Sequence, residues 1–180
     1  MNGYSDFVKK LIEGFEKEEV DYAFTDALAA SFYGVPRPTA DVDVIVAAAS
    51  KTAKTRLGSA LRLAGLQVDE KRIDDALTSG YRIATFNCKT SPYTVDVIFS
   101  DEVRKRVGAI ADLVTYIQPA EDLILAKLRM IKATVPRERA FKDEADVRAI
   151  LQFTKVENEA IEKQAKKDGT LEIWENFVEG

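Results

Sequence analysis

The stretch from Tyr22 to Val46, YAFTDALAASFYGVPRPTADVDVIV, constrains the fold of this chain more than any other. It reads as strand, turn, helix, loop and second strand, and the second strand carries Asp41 and Asp43 two residues apart. Residues i and i+2 of a strand point to one face. Both carboxylates therefore project together, while Val42, Val44 and Val46 form the opposite, buried face.

Histidine is absent from all 180 residues and cysteine occurs once, at Cys88. These two facts exclude serine-histidine triads, histidine metal ligands and general bases, an intramolecular disulfide, and a cysteine and histidine zinc cage. Whatever chemistry occurs must use carboxylates, lysine, arginine, hydroxyls or a hard cation. The formal net charge of -4 argues against a broad basic face for gripping nucleic acid. A chain that is 46% hydrophobic and 31% charged fits one globular domain with a helical appendage. The N-terminal MNGYSDFVKK lacks a signal-peptide pattern, and no apolar run approaches the ~20 residues that cross a bilayer. A cytoplasmic location with no membrane partner is expected.

Residues from Ser5 to about Glu18 place Phe7, Val8, Leu11, Ile12 and Phe15 at helical spacing, with Ser5 or Asp6 as the expected cap. Val20 to Phe24 reads as a strand and Asp26 to Phe32 as a helix capped by Asp26. The Pro36-Arg37-Pro38 loop then leads into the Asp41 strand. Ser50 to Ala64 is helical in pattern, Gln67 to Asp69 a short strand, and Arg72 to Thr78 one or two helical turns. Tyr81 to Asn87 and Tyr93 to Phe99 read as strands joined by CKTSP as a hairpin turn. Asp101 to Arg106 is a charged helix or turn, and Val107 to Ile117 one edge strand. Pro119 opens a helix with Glu121 and Asp122 in its first turn and Ile124, Leu128 and Ile131 as its stripe. Another helix runs from Pro136 to about Phe153. Lys155 to Lys167 is a polar helix, and Thr170 caps a last one bearing Leu171, Trp174, Phe177 and Val178.

The Tyr93 to Phe99 strand repeats the theme of the first, because Asp96 interrupts an otherwise apolar Val95, Val97, Ile98 and Phe99. Three carboxylates on neighbouring strands make the oxygen-rich cluster that magnesium prefers. Two such ions ~3.5–4 Å apart clamp the attacking and leaving oxygens of a phosphoryl transfer. Buried without partners, each of these charges costs several kcal/mol, about what a metal or a nearby Lys or Arg would offset. Asp143 lies on the apolar side of its helix with Val147 and Ile150. It needs a cation, with Lys127 or Arg37 as the expected partner.

The ordered set RPTADVD, YTVDVIF, PAEDLILAKL and FKDEADVRAIL resembles the nucleotidyltransferases of the polymerase-beta superfamily, especially the small prokaryotic branch with abortive-infection type toxins. The likeness spans residues 20–152. It implies an α+β (α/β) fold, a mixed sheet flanked by helices, with residues 153–180 as a C-terminal helical extension. It further implies that Asp41, Asp43 and Asp96 hold two Mg2+ ions and that Asp96 activates the acceptor hydroxyl. Arg37 and Thr39 would place the nucleotide and Lys127 would approach its triphosphate. Lys142, Asp143 and Asp146 match polar positions of the family's later helix. The implied activity is transfer of NMP from an NTP to a hydroxyl of a tRNA, protein or small-molecule acceptor.

Relatives carry Gly-Gly or Gly-Ser at the turn before the first helix, ahead of the first aspartate, where this chain has Asp26-Ala27. Glycine there lets turn amides approach a phosphate. An aspartate brings a Cβ and a negative charge instead. A second reading therefore stays open: a catalytically degenerate relative that binds nucleotide or a partner, such as a toxin-antitoxin component or a homodimer.

Overall fold

In the computed structural model, which describes residues 3–179, the alternating apolar segments assemble into one mixed sheet. Its strands are β1 (Asp21–Thr25), β2 (Asp41–Ala47), β3 (Ile83–Asn87), β4 (Thr94–Phe99), β5 (Arg106–Ile110) and β6 (Leu113–Ile117). Their order is β3-β4-β2-β1-β6-β5. The β2/β4 and β1/β6 pairs are parallel, and the other three are antiparallel. The mixed sheet and helices expected from the sequence are both present.

The chain forms two units, Met1–Leu28 with Pro38–Gln118 and Ala29–Arg37 with Pro119–Gly180. The first holds the whole sheet together with α1 (Tyr4–Lys17), α3 (Lys51–Leu63) and α4 (Glu70–Thr78). Along the three strands β1, β2 and β4 one side chain in two enters its core: Val42, Val44 and Val46 of β2, Val95, Val97 and Phe99 of β4, Tyr22 and Phe24 of β1. The α1 stripe Phe7, Leu11 and Phe15 meets them, as do Leu57 and Leu61 of α3. This layer explains why β2 reads valine at every second position: one face is dry. Gly14 lets α1 approach α3, since a Cβ there would lie 2.7 Å from the Ala60 carbonyl oxygen.

Several local expectations change. Gly3 precedes α1 with no side-chain cap, so neither Ser5 nor Asp6 caps it; both lie inside the helix. Ser50 does cap α3, its Oγ accepting the Ala53 N–H at 3.0 Å. No strand forms over Gln67 to Asp69, because Asp69 is taken as the cap of α4 and accepts the Lys71 N–H. Only Leu66 bridges to Cys88. The expected single edge strand over Val107 to Ile117 is two strands, β5 and β6, folded about Ala111 and Asp112. Both turn residues have positive φ, +52° and +65°. That backbone matches the twist of a two-residue hairpin, and Ala-Asp lacks the glycine or asparagine that announces one.

The second unit is helical: α5 (Ala120–Ala133), a 3-10 turn (Arg137–Ala140), α6 (Phe141–Phe153), α7 (Asn158–Asp168) and α8 (Leu171–Val178). The helix expected from Pro136 thus begins with a 3-10 turn. Helix α5 packs against α6 and α7, and α7 against α8. Gly169, in the left-handed region at φ +65°, stops α7. Thr170 precedes α8 without capping it through its side chain; its hydroxyl donates to the Ala165 carbonyl. Helix α2 (Asp26–Tyr33) starts in the first unit and ends in the second, where the Tyr33 carbonyl accepts the Thr154 hydroxyl at 2.6 Å. Among the described residues no helix is long and apolar enough to cross a membrane.

Candidate active site

The face of the sheet opposite the valine layer carries the acids. Parallel pairing sets Asp43 of β2 beside Asp96 of β4 and Asp41 beside Thr94. The antiparallel neighbours continue both rows: Thr25 of β1 pairs with Asp43, Thr85 of β3 with Asp96, and Asn87 with Thr94. A continuous row Thr25, Asp43, Asp96, Thr85 therefore crosses four strands, with about 4.8 Å between neighbours. The three carboxylates anticipated from sequence lie on one face, at adjacent positions of adjacent strands.

Threonines order this cluster. Thr94 Oγ1 donates to Asp41 Oδ1 at 2.7 Å, and Thr85 Oγ1 donates to Asp96 Oδ1 at 2.6 Å. Thr39 Oγ1 accepts the Asp41 N–H at 3.2 Å and donates to the Asp41 carbonyl at 3.0 Å, fixing the backbone where β2 begins. The Thr25 hydroxyl donates to Gln118 Oε1. None of Thr25, Thr85 or Thr94 was expected as a site residue. Thr94 lies two residues before Asp96 in a strand, so period-2 spacing alone places it on the acid face. Thr85 carried no comparable signal, because its relation to Asp96 depends on strand register.

An all-oxygen donor set of three carboxylates fits a hard divalent cation such as magnesium better than a soft one. The strand register places all three carboxylates on one side of the sheet.

Asp26, the first residue of α2, has φ +47°. An N-capping residue sits in the extended region with negative φ. The expected cap is therefore not formed in that way, and Asp26 occupies the left-handed conformation that glycine adopts without cost.

In the second unit the remaining polar residues form an ion-pair network. Arg37 lies against Asp146 through two bonds, Nε to Oδ1 and Nη2 to Oδ2, both 3.1 Å. Lys127 Nζ stands 2.8 Å from Asp146 Oδ2 and 2.9 Å from Asp143 Oδ1. Lys127 is 3% exposed and Asp146 6%. Asp143 thus has Lys127 as partner, one of the two cations anticipated for it. Asp146 is the more deeply buried acid and takes both cations. It lies three residues after Asp143 and four before Ile150, a helical spacing that marks the same face. Lys142 is exposed.

No protein-family model matches the sequence, and no curated protein sequence matches it. Solved structures do. The solution structure of the antibiotic-resistance factor ANT(2'')-Ia superposes with a TM-score of 0.66 at 12% identity, covering 98% of this chain and 97% of that one. The crystal structure of ANT(2'')-Ia in complex with adenylyl-2''-tobramycin superposes with a TM-score of 0.64 at 13% identity, over 92% and 97%. At that identity the likeness is one of architecture, and it extends over nearly the full length of both chains. The chain carries the nucleotidyltransferase fold.

Proposed function

We propose that this chain transfers NMP from an NTP to a hydroxyl of a small acceptor molecule. The observation that carries the reading is the register of β2 with β4, which sets Asp43 beside Asp96 with Asp41 on the same face. In the proposed step the acceptor oxygen forms a bond to the α-phosphorus, the bond to the β-phosphate oxygen breaks, and pyrophosphate leaves. Asp96 takes the proton of the attacking hydroxyl. Asp41, Asp43 and Asp96 would hold two magnesium ions, whose charge would offset that of the phosphates. Thr39 keeps the entry to β2 in place. Nucleotide roles for Arg37, Lys127, Lys142 and Asp143 rest on the motif resemblance.

A small hydroxylated acceptor is supported by the fold neighbour captured with adenylyl-2''-tobramycin. The resemblance to abortive-infection type nucleotidyltransferases supports a place in a toxin-antitoxin pair, and tRNA and protein stand beside small molecules as acceptor classes. Asp26 favours a second reading, a degenerate relative that binds nucleotide without transfer, because its carboxylate stands at the turn where relatives present glycine. We assign residues 1–152 to the nucleotidyltransferase domain and 153–180 to its helical extension.

Thermal unfolding with Mg2+ and each NTP tests binding, and label transfer from α-labelled NTP to hydroxylated small molecules, tRNA and protein tests chemistry. Stabilisation that disappears in Asp41→Asn/Asp43→Asn, together with label transfer, is the expected result. Stabilisation without transfer to any acceptor class selects the degenerate reading. No stabilisation of the wild type by any Mg2+ and NTP combination overturns both.

A further inference from the structure

We infer that Thr85 and Thr94 are positioning residues for the metal-binding carboxylates, holding Asp96 and Asp41 by one oxygen each so that the other is presented to the cation. The inference rests on the proposed function and names residues to which the motif resemblance assigns no role.

An aspartate on a strand has two side-chain torsions, and an unrestrained carboxylate samples several rotamers. Cation binding then has to overcome that freedom as well as the repulsion between neighbouring acids. A hydroxyl bonded to one carboxylate oxygen removes much of both, because it fixes the rotamer and places a positive hydrogen against the negative charge. The bond lengths match this role: 2.7 Å from Thr94 to Asp41 and 2.6 Å from Thr85 to Asp96, in the range of charge-assisted O–H···O− bonds. Both bonds reach Oδ1.

The two threonines come from different directions and are themselves supported. Thr94 is the register partner of Asp41 across the parallel pair, so its reach is set by the β2/β4 ladder. Thr85 is on edge strand β3, where the row of acids ends. Its carbonyl accepts Arg72 Nη1 at 2.9 Å, so α4 holds the outer side of β3 where no further strand can. Arg72, Thr85 and Asp96 thus form a relay from helix to carboxylate. Groups that orient metal ligands from behind typically contribute 10–100-fold to metal affinity.

The test uses the full-length chain and Mn2+ as probe, titrated by electron paramagnetic resonance, with unfolding midpoints measured without metal. Thr85→Val and Thr94→Val remove a hydroxyl at nearly constant shape and keep strand propensity; Thr85→Ser and Thr94→Ser keep the hydroxyl. Expected are about tenfold or greater losses of Mn2+ affinity in the valine variants, recovery in the serine variants, and metal-free midpoints unchanged by valine. Valine variants that bind Mn2+ as the wild type does, while Asp43→Asn does not, overturn the inference and leave the metal reading standing. A wild type that binds no Mn2+ overturns the metal reading, and the inference with it. Serine variants as weak as valine ones also overturn it, since the hydroxyl would then not be the cause.

Discussion

Arg37 and Asp146 are 109 residues apart in sequence and meet side by side, guanidinium against carboxylate, at 3.1 Å through two nitrogens. Lys127 closes on the same carboxylate from α5, so one buried acid neutralises two cations. Lys127 also engages Asp143, at 2.9 Å. The Arg37 backbone N–H reaches Ser31 Oγ as well, tying the end of α2 to the same point.

This network predicts an asymmetric response to mutation. Asp146→Asn takes from the buried Lys127 ammonium the carboxylate 2.8 Å away, and the expected loss is about 3–5 kcal/mol. Lys127→Met alone should cost a similar amount, whereas Lys127→Met combined with Asp146→Leu should recover part of it, because the two most deeply buried charges leave together and the Arg37 and Asp143 side chains that lose them are partly exposed to water. Denaturant unfolding of the three variants measures the coupling. Additive losses would show that the charges act independently.

Asp26 predicts a separate pattern. Its φ of +47° costs a non-glycine residue about 1–2 kcal/mol, and glycine at an ordinary position loses about 0.5–1 kcal/mol to chain entropy. Asp26→Gly should therefore change stability little, while Asp26→Val, β-branched at positive φ, should lower it by about 1–2 kcal/mol. If the turn receives phosphate, Asp26→Gly also tightens NTP binding, because a carboxylate is removed from beside an anion. Calorimetric titration with NTP and Mg2+ decides this. Unchanged affinity would show that the turn does not meet the triphosphate.

Tyr22 carries the alkaline limit of the fold. Its phenol is fully enclosed, and burial is the main cause that pushes its pKa well above the ordinary value of 10.0, with Glu16 adding to the rise and Thr115 opposing it. Below about pH 10 the phenol is protonated in both states and contributes no pH dependence. Above that pH only the unfolded chain ionises, so stability should fall by up to about 1.4 kcal/mol per pH unit. Tyr22→Phe should flatten that slope while lowering stability at neutral pH, because Thr115 loses its 2.7 Å partner inside the core. Unfolding free energies between pH 8 and 11 read out both effects.

The amino-acid pattern alone determined more of this protein than its composition suggests. Alternation is local, so the valine face of β2 and the projection of Asp41 and Asp43 from its other side follow from the order of residues, as do the stripes of α1 and α5. The absence of histidine, a property of composition alone, confined any metal chemistry to oxygen ligands. What could not be read were relations between segments. Whether Asp96 stands beside Asp43 depends on the offset between two strands, and a slip of one residue would send it to the valine face. The roles of Thr85 and Thr94 depend on that same offset. The β5/β6 hairpin went unread because Ala111 and Asp112 adopt positive φ without the residues that favour it, a conformation imposed by pairing of the flanking strands. Lys127 could be named from the sequence as a partner for Asp143, but its burial and its second acid, Asp146, came only from the packing of α5 against α6. Local periodicity is written residue by residue, whereas register and burial are settled by the whole set of elements that must pack at once.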